Sequence, residues 1–564
     1  MSLSSRVAGG RCVVVSGATA LLLSAGTCLG VNGVVLTPVA ATGTGSLATQ
    51  LMPQLPGVVG GFSNFANVVM DDHGHVAFMG GLGNSTATNS GVWSTLSGAL
   101  APVAASGLAA PGIAGATESL SLRMAFAGNG RIALEQGLVQ GTAFTYSVWA
   151  SGVDGTGPIG LIAREGSQAA GMAGGVSYTS NGPVSVYREG IAGRGLLLSR
   201  DGSLLWEGTA TGMAIPSSAV WRNDAGGTTL RVTNTQTTPS AGLPWQSFLG
   251  DGNLHVDDSG HLTVAASTTV VNVGTTFAYV TDRGGSLTRT YPSFAGVTGT
   301  GYSVIGSAGN GDLVVGGFIT PSGQAQRFSL IRQDGPTGWH RIVDAGAAAP
   351  SGGAGASVQL TAPAGTTINF PQTIAAPSST GATAFQVGFA NTNSDWAAST
   401  GLVVASADNV LTLIARTGMT VPGQASNIVL DGMSAPAINN LGMVAFTGTM
   451  TASPANLNGR GVFMAQGSDG VLRVIVQAGD VIDIPGLGIR HVAGLTSSQD
   501  GNVGGQTWWT DDGHFALIAT LIEDPTRRVV ITGAIPAPGA AVLLGIGGIM
   551  GARRRRGTKA SLRQ

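Results

Sequence analysis

The chain has 564 residues, of which 91 are Gly and only 10% are charged, against about 7% Gly and about 25% charged residues in ordinary proteins. Glycine costs about 1 kcal/mol relative to Ala inside a helix but little in a tight turn, so this composition excludes a long-helix protein and favours short strands joined by many turns. With 43% hydrophobic residues, a mean hydropathy of +0.29 and a formal net charge of −1, the chain has ample core material and no self-repulsion, which argues against disorder. The expected class is all-β.

Residues 1–30 read as a secretory signal peptide. Arg6 and Arg11 precede the apolar run CVVVSGATALLLSAGTCLG, which ends in small residues, and cleavage is expected near residues 27–31. Recognition by the Sec export machinery and a location in the cell envelope or at the cell surface follow as expectations. Both cysteines, Cys12 and Cys28, lie inside this run, so the processed chain is expected to have no disulfide, no Cys-ligated metal and no Cys nucleophile. Next comes GVVLTPVAATG, from Gly33, which looks like an outer strand and has no inner partners of its own.

Residues 34–533 are organised by one pattern found eight times, a polar turn with a fixed Gly leading into an apolar strand. The copies are DDHGHVAF, AGNGRIAL, SRDGSLLW, DDSGHLTV, AGNGDLVV, SSTGATAF, NNLGMVAF and TDDGHFAL, and their glycines are Gly74, Gly130, Gly202, Gly260, Gly311, Gly381, Gly442 and Gly513. Asx-rich turns with Gly between apolar runs signal hairpins, because Gly supplies positive φ and Asx side chains satisfy turn amides. Each copy is followed by a second strand such as SGVWST, by a third such as PIGLIAREG, and by a Gly- and Pro-rich connection such as MTVPGQAS. Counting the strand before the turn, each unit has four short strands and repeats at about 63 residues, which fits a β-propeller blade better than a solenoid coil. The last unit (QTWWTDD, GHFALIAT, RRVVIT) lacks its outer strand, and the unpaired N-terminal strand can supply it. The expectation is an eight-bladed propeller closed by an N-terminal strand in the last blade, with seven blades as the alternative.

Residues 534–564 order a Pro-rich break, an apolar stretch from Ala540 to Ala552 and a cluster of Arg553, Arg554, Arg555 and Arg556. The stretch is shorter than the roughly 20 residues of a stable spanning helix, and the Arg cluster would hold its end on the cytoplasmic side. This order of parts is similar to the PEP-CTERM sorting signal, with Pro536-Ala537-Pro538 standing where that family has Pro-Glu-Pro. The resemblance implies an exosortase-type processing enzyme and anchoring or sorting at a bacterial envelope. The turn unit resembles the choice-of-anchor tandem repeat NxxGxxAF family. Asn439, Gly442, Ala445 and Phe446 match its motif fully, while Asp71 to Phe78 differs by Asp for Asn. That resemblance implies an exported protein with an interchangeable C-terminal anchor, and it attaches no catalytic residue to the motif.

The two ends hold eight basic residues and no acids, leaving 19 basic against 28 acidic residues in the body, a net charge of −9. Without a basic stripe the body is not expected to bind nucleic acid. Its sharpest polar cluster is Asp-Asp-x-Gly-His, at Asp71, Asp72 and His75 and again at Asp257, Asp258 and His261, with a shorter version at Asp511, Asp512 and His514. No cofactor is expected, although oxygen-rich turns of this kind could hold Ca²⁺. Calcium needs six to eight oxygens, however, and each turn offers two carboxylates in a separate blade, so the pairs read as hairpin turns. The histidines are too scattered for zinc. Trp93, Trp149 and Trp221 recur at matching strand positions and should pack between blades, whereas Trp245, Trp339 and Trp396 lie in irregular links where exposed rings could stack on sugars. No nucleophile elbow, P-loop or dinucleotide fingerprint occurs. The expected function is therefore a non-enzymatic binding or structural module for extracellular polysaccharide or protein. The alternative is an extracellular glycan hydrolase or lyase working in a propeller channel. Expected inner strands such as FSNFANVVM and YSVIGSA carry few charges, and three or more ionisable groups around the channel would reverse the preference.

Overall fold

The computed structural model describes residues 28–29, 34–43, 61–83, 90–179, 196–212, 217–233, 247–248, 254–270, 274–295, 297–336, 338–352, 360–391, 399–452, 460–466, 470–497 and 508–535. Nearly all of the proposed signal peptide and the sorting tail from residue 536 on, including Pro536, Pro538 and Arg553 to Arg556, lie outside them. So do Trp245 and Trp396. No helix among the described residues is long and apolar enough to cross a membrane.

Eight antiparallel sheets ring an axis as an eight-bladed β-propeller. Blade 1 runs from the axis outward as Phe62–Met70, Val76–Leu82, Ser90–Ser94 and Ala101–Ala105, and blade 2 as Ala116–Phe126, Ile132–Gln140, Ala143–Ala150 and Gly160–Arg164. In blades 3, 4 and 7 the inner strand is split in two, as in Ser177–Tyr178 and Leu196–Leu198. Each motif turn joins a blade's inner strand to its second strand, so all eight turns lie at one end of the axis.

Closure occurs in blade 8. Its inner strand is Gly488–Thr496, followed by His514–Leu521 and Arg528–Ala534, and the fourth place is taken by Val35–Ala41 from the other end of the chain. Thr37 faces Thr532 and Ala41 faces Val529, with a register shift beside Pro38, a residue without an N–H that strand edges tolerate. Thr42 and Gly43 continue the seam, Thr42 N donating to Arg528 O (2.8 Å) and Gly43 N to Phe62 O of blade 1 (3.0 Å). Eight blades and the N-terminal closing strand are thus both present. The first strand of the last unit differs from expectation, since it lies mainly in Gly488–Thr496 and the Trp509–Phe515 bridge only extends it.

Every blade is covered by a neighbour on both faces, so its strands are buried on both sides and read as apolar runs. The motif's aromatic position packs inside this core. Phe78 faces Trp93 across the sheet and Trp206 faces Trp221, with nearly parallel rings 6.2 and 6.1 Å apart. Trp93, Trp149 and Trp221 are fully buried, as their matching positions implied. Trp339 is not a free sugar platform: its Nε1 donates to Thr290 Oγ1 (2.8 Å) and its ring packs against Tyr279.

Candidate functional site

The eight motif turns share one backbone design. In each, the Gly N–H bonds to the carbonyl three residues earlier, as in Gly74 to Asp71 (3.2 Å) and Gly442 to Asn439 (2.9 Å), and the Gly sits in the left-handed region, from +77° at Gly260 to +91° at Gly202. Three side-chain solutions complete the turn, one being a hydroxyl at the first position, where Ser199, Ser378 and Thr510 accept from Ser203 N (2.7 Å), Ala382 N (3.1 Å) and His514 N (3.0 Å). Asp71, Asp257 and Asn439 occupy its first position and each accepts two following N–H groups, those of His73 and His75 (2.9 and 2.7 Å) in the case of Asp71. In blades 2 and 5 the first position is Ala, and Asn129 or Asn310 at the third position accepts from Arg131 N (3.0 Å) or Asp312 N (3.1 Å) instead.

The second position of each turn faces the turns of other blades. These residues are Asp72, Gly128, Arg200, Asp258, Gly309, Ser379, Asn440 and Asp511. Hydrogen bonds stitch successive turns together: Asp72 N to Gly128 O (3.0 Å), Asn129 Nδ2 to Asp201 O (3.0 Å), Asp201 N to Asp258 O (3.2 Å) and Asp258 N to Gly309 O (2.6 Å). They continue with Asn310 Nδ2 to Ser379 O (3.3 Å), Ser379 Oγ to Asn440 Oδ1 (2.6 Å) and Asn440 N to Asp511 Oδ1 (2.7 Å). Arg200 closes the circuit from the opposite side. Its Nε lies 2.6 Å from Asp72 Oδ2 and its Nη1 3.0 Å from Asp511 Oδ2, so blade 3 reaches over blade 2 to grip blades 1 and 8. Gly128 permits this, because a Cβ there would stand 2.5 Å from Asp72 Oδ2 and 2.8 Å from Arg200 Cγ.

Four ionisable groups therefore converge on the axis: Asp72, Arg200, Asp258 and Asp511. Burial alone would lower the Arg200 pKa, but hydrogen bonds and charge from Asp72 and Asp511 outweigh it and hold the guanidinium above its ordinary value. Burial pushes the Asp258 carboxyl up to about 6; Arg200 opposes this, while Asp257, Asp72 and Asp511 add to it. Asp72 and Asp511 are about 30% exposed, so the cluster is open to water on one side.

The acidic turn residues thus divide by position. Although each pair belongs to a separate blade, the carboxylates are not kept apart, because the same turn position in three blades points to one axis. Asp72, Asp258 and Asp511 meet there, with a guanidinium where a bound cation would sit. Asp71 and Asp257 instead cap their own turns, and Asp512 pairs with His514 Nδ1 (2.8 Å) at the surface. The expected scatter of the histidines also fails in blade 1, where His73 and His75 share Asp71. The axial charges come from the turns, whereas the sequence reading looked for them on the inner strands. Arg200 and Gly128 were not singled out; the signal available was that the residue two before each motif Gly forms a set of its own.

Residues 17–192 and 361–542 match the family described as "Family of unknown function (DUF7453)". No curated protein matches the chain. Among solved structures, the polysaccharide lyase Uly1 is similar at 11% identity and a TM-score of 0.33, over 80% of this chain and 97% of that one. An oligogalacturonate lyase in complex with manganese is similar at 10% identity and a TM-score of 0.30, over 84% and 98%. An acylaminoacyl peptidase of Pyrococcus horikoshii is similar at 11% and 0.32, over 76% of this chain and 53% of that one.

Proposed function

Because the chain belongs to DUF7453, a family of unknown function, we propose its role from the geometry of its own ring: an exported, envelope-sorted, non-enzymatic β-propeller that presents a binding or structural surface to extracellular polysaccharide or protein. The observation that carries this reading is that Arg200 and two of the three axial carboxylates satisfy one another. Asp511 uses both carboxylate oxygens, one on Asn440 N and one on Arg200, and Arg200 also holds Asp72. Charges committed in this way fasten one end of the ring and leave ligand contact to the blade edges and links. The test is retention of the protein, freed of its signal and tail, on the producer's extracellular polysaccharide, with and without EDTA. Saturable retention supports the reading, loss with EDTA adds a calcium-dependent step, and absence of retention by the folded protein removes polysaccharide as the ligand.

One observation favours the second reading, a glycan hydrolase or lyase. Four ionisable groups meet at the axis, which satisfies the condition of three or more for a channel enzyme; Arg200, Asp72 and Asp511 are committed to one another, and Asp258, its pKa raised to about 6, stands near both of those carboxylates. Carboxylates pushed apart in pKa can serve as acid and base. New reducing ends or unsaturated products from polysaccharide, abolished by Asp258→Asn, would favour this reading over the first.

A further inference from the structure

We propose that the blade 1 turn, Asp71, His73 and His75, is a binding site for a divalent transition-metal ion of the zinc class. Asp71 is 1% exposed and fixed in place, because its Oδ1 accepts the backbone N–H groups of His73 and His75. That leaves Oδ2 directed at two imidazoles, with His75 Nδ1 at 2.7 Å and His73 Nδ1 at 3.9 Å. One donor atom from each residue lies within 4.8 Å of the other two. Three ligands on a tetrahedral ion with bonds of about 2.1 Å stand roughly 3.4 Å apart, so small rotations of two partly exposed rings would complete the geometry.

The donor chemistry selects the ion. Two imidazole nitrogens and one carboxylate oxygen suit zinc, cobalt or nickel. Calcium wants six to eight oxygens, and this turn has a single carboxylate oxygen to give. The open side of His73, 68% exposed, leaves a fourth position to water. Blade 4 supplies a natural control. Asp257 accepts from Ser259 N (3.0 Å) and His261 N (2.8 Å) and holds His261 Nδ1 at 2.9 Å, reproducing the blade 1 turn with Ser in place of the second imidazole. A site of this class then belongs to blade 1 and is withheld from blade 4 by one side chain.

The test uses the full chain without a polyhistidine tag, titrated with Zn²⁺ by calorimetry and with Co²⁺ by its visible absorption. The expected result is saturable uptake of one equivalent, weakened at least tenfold by His73→Ser, since even outer-shell partners of a metal carry roughly ten- to hundredfold in affinity. Ser259→His should raise the stoichiometry from one to two. No saturable uptake by the unaltered chain, unchanged affinity in His73→Ser, or a stoichiometry still at one in Ser259→His would each overturn the proposal. Because one substitution removes a site and the other adds one, misfolding cannot imitate both results.

Discussion

Gly442 and Gly128 serve the same kind of turn for opposite reasons. Gly442 needs its backbone: φ is +78°, and nothing lies within 4 Å of an added Cβ. Gly442→Ala should therefore cost about 1–2 kcal/mol of left-handed strain in a urea titration and leave the axis intact. Gly128 needs its space, since a Cβ would strike both Asp72 and Arg200. Gly128→Ala should separate that ion pair and lower stability by more than Gly442→Ala in the same titration, the larger loss being the check on the cross-axis grip. Asn439→Ala removes the acceptor of Leu441 N and Met443 N and should cost about 1–3 kcal/mol, because two turn amides lose their partner. Asn439 and Gly442 were legible in the sequence because their work is done within four residues. Gly128 was not, because its neighbour Arg200 arrives from 72 residues further along the chain.

At the scale of the blade, the links matter as much as the turns. Among the described residues, after the outer strand of five blades a Gly in the left-handed region donates to the next blade's inner strand, as in Gly107 N to Glu118 O and Gly418 N to Leu430 O. The sequence marked these links as Gly- and Pro-rich, but their partners lie on the following blade and no local pattern names them. Glu118 sits at one such junction, 4% exposed, its Oε2 accepting from Ala105 N (2.7 Å). Burial raises its pKa from 4.5 to about 7, against the hydrogen bonds that lower it. Between those values the folded protein keeps a proton that the unfolded chain has lost. The stability this group contributes is complete below pH 4.5 and fades as the pH rises through about 7. Glu118→Gln, which keeps an acceptor for Ala105 N, should therefore gain in stability on the unaltered protein as the pH rises from 4.5 to about 8, read from urea midpoints across that range. A constant difference would show that Glu118 titrates normally.

For the molecule as a whole, the ring depends on one borrowed strand. Deleting residues 34–43 would bare the Arg528–Ala534 strand of blade 8 and unseat Thr42 from Arg528. An exposed strand edge invites pairing with another chain, so the deleted protein should move from a single species to aggregates in size-exclusion chromatography. Eight turn glycines and one N-terminal strand without inner partners make this architecture readable in the sequence. The axial cluster was hidden for the same reason that the ring was visible. Its members come from four of the eight units, 128, 58 and 253 residues apart in turn, and only closure gathers Asp72, Arg200, Asp258 and Asp511 into one place. The seam also sets an order in time. Thr37 waits through 495 residues of synthesis for Thr532, so a strand from the start of the chain is among the last to be placed. Until that moment the chain is an open arc with two unsatisfied edges, and a refolding experiment should find the pairing of Val35–Ala41 forming after the blades themselves.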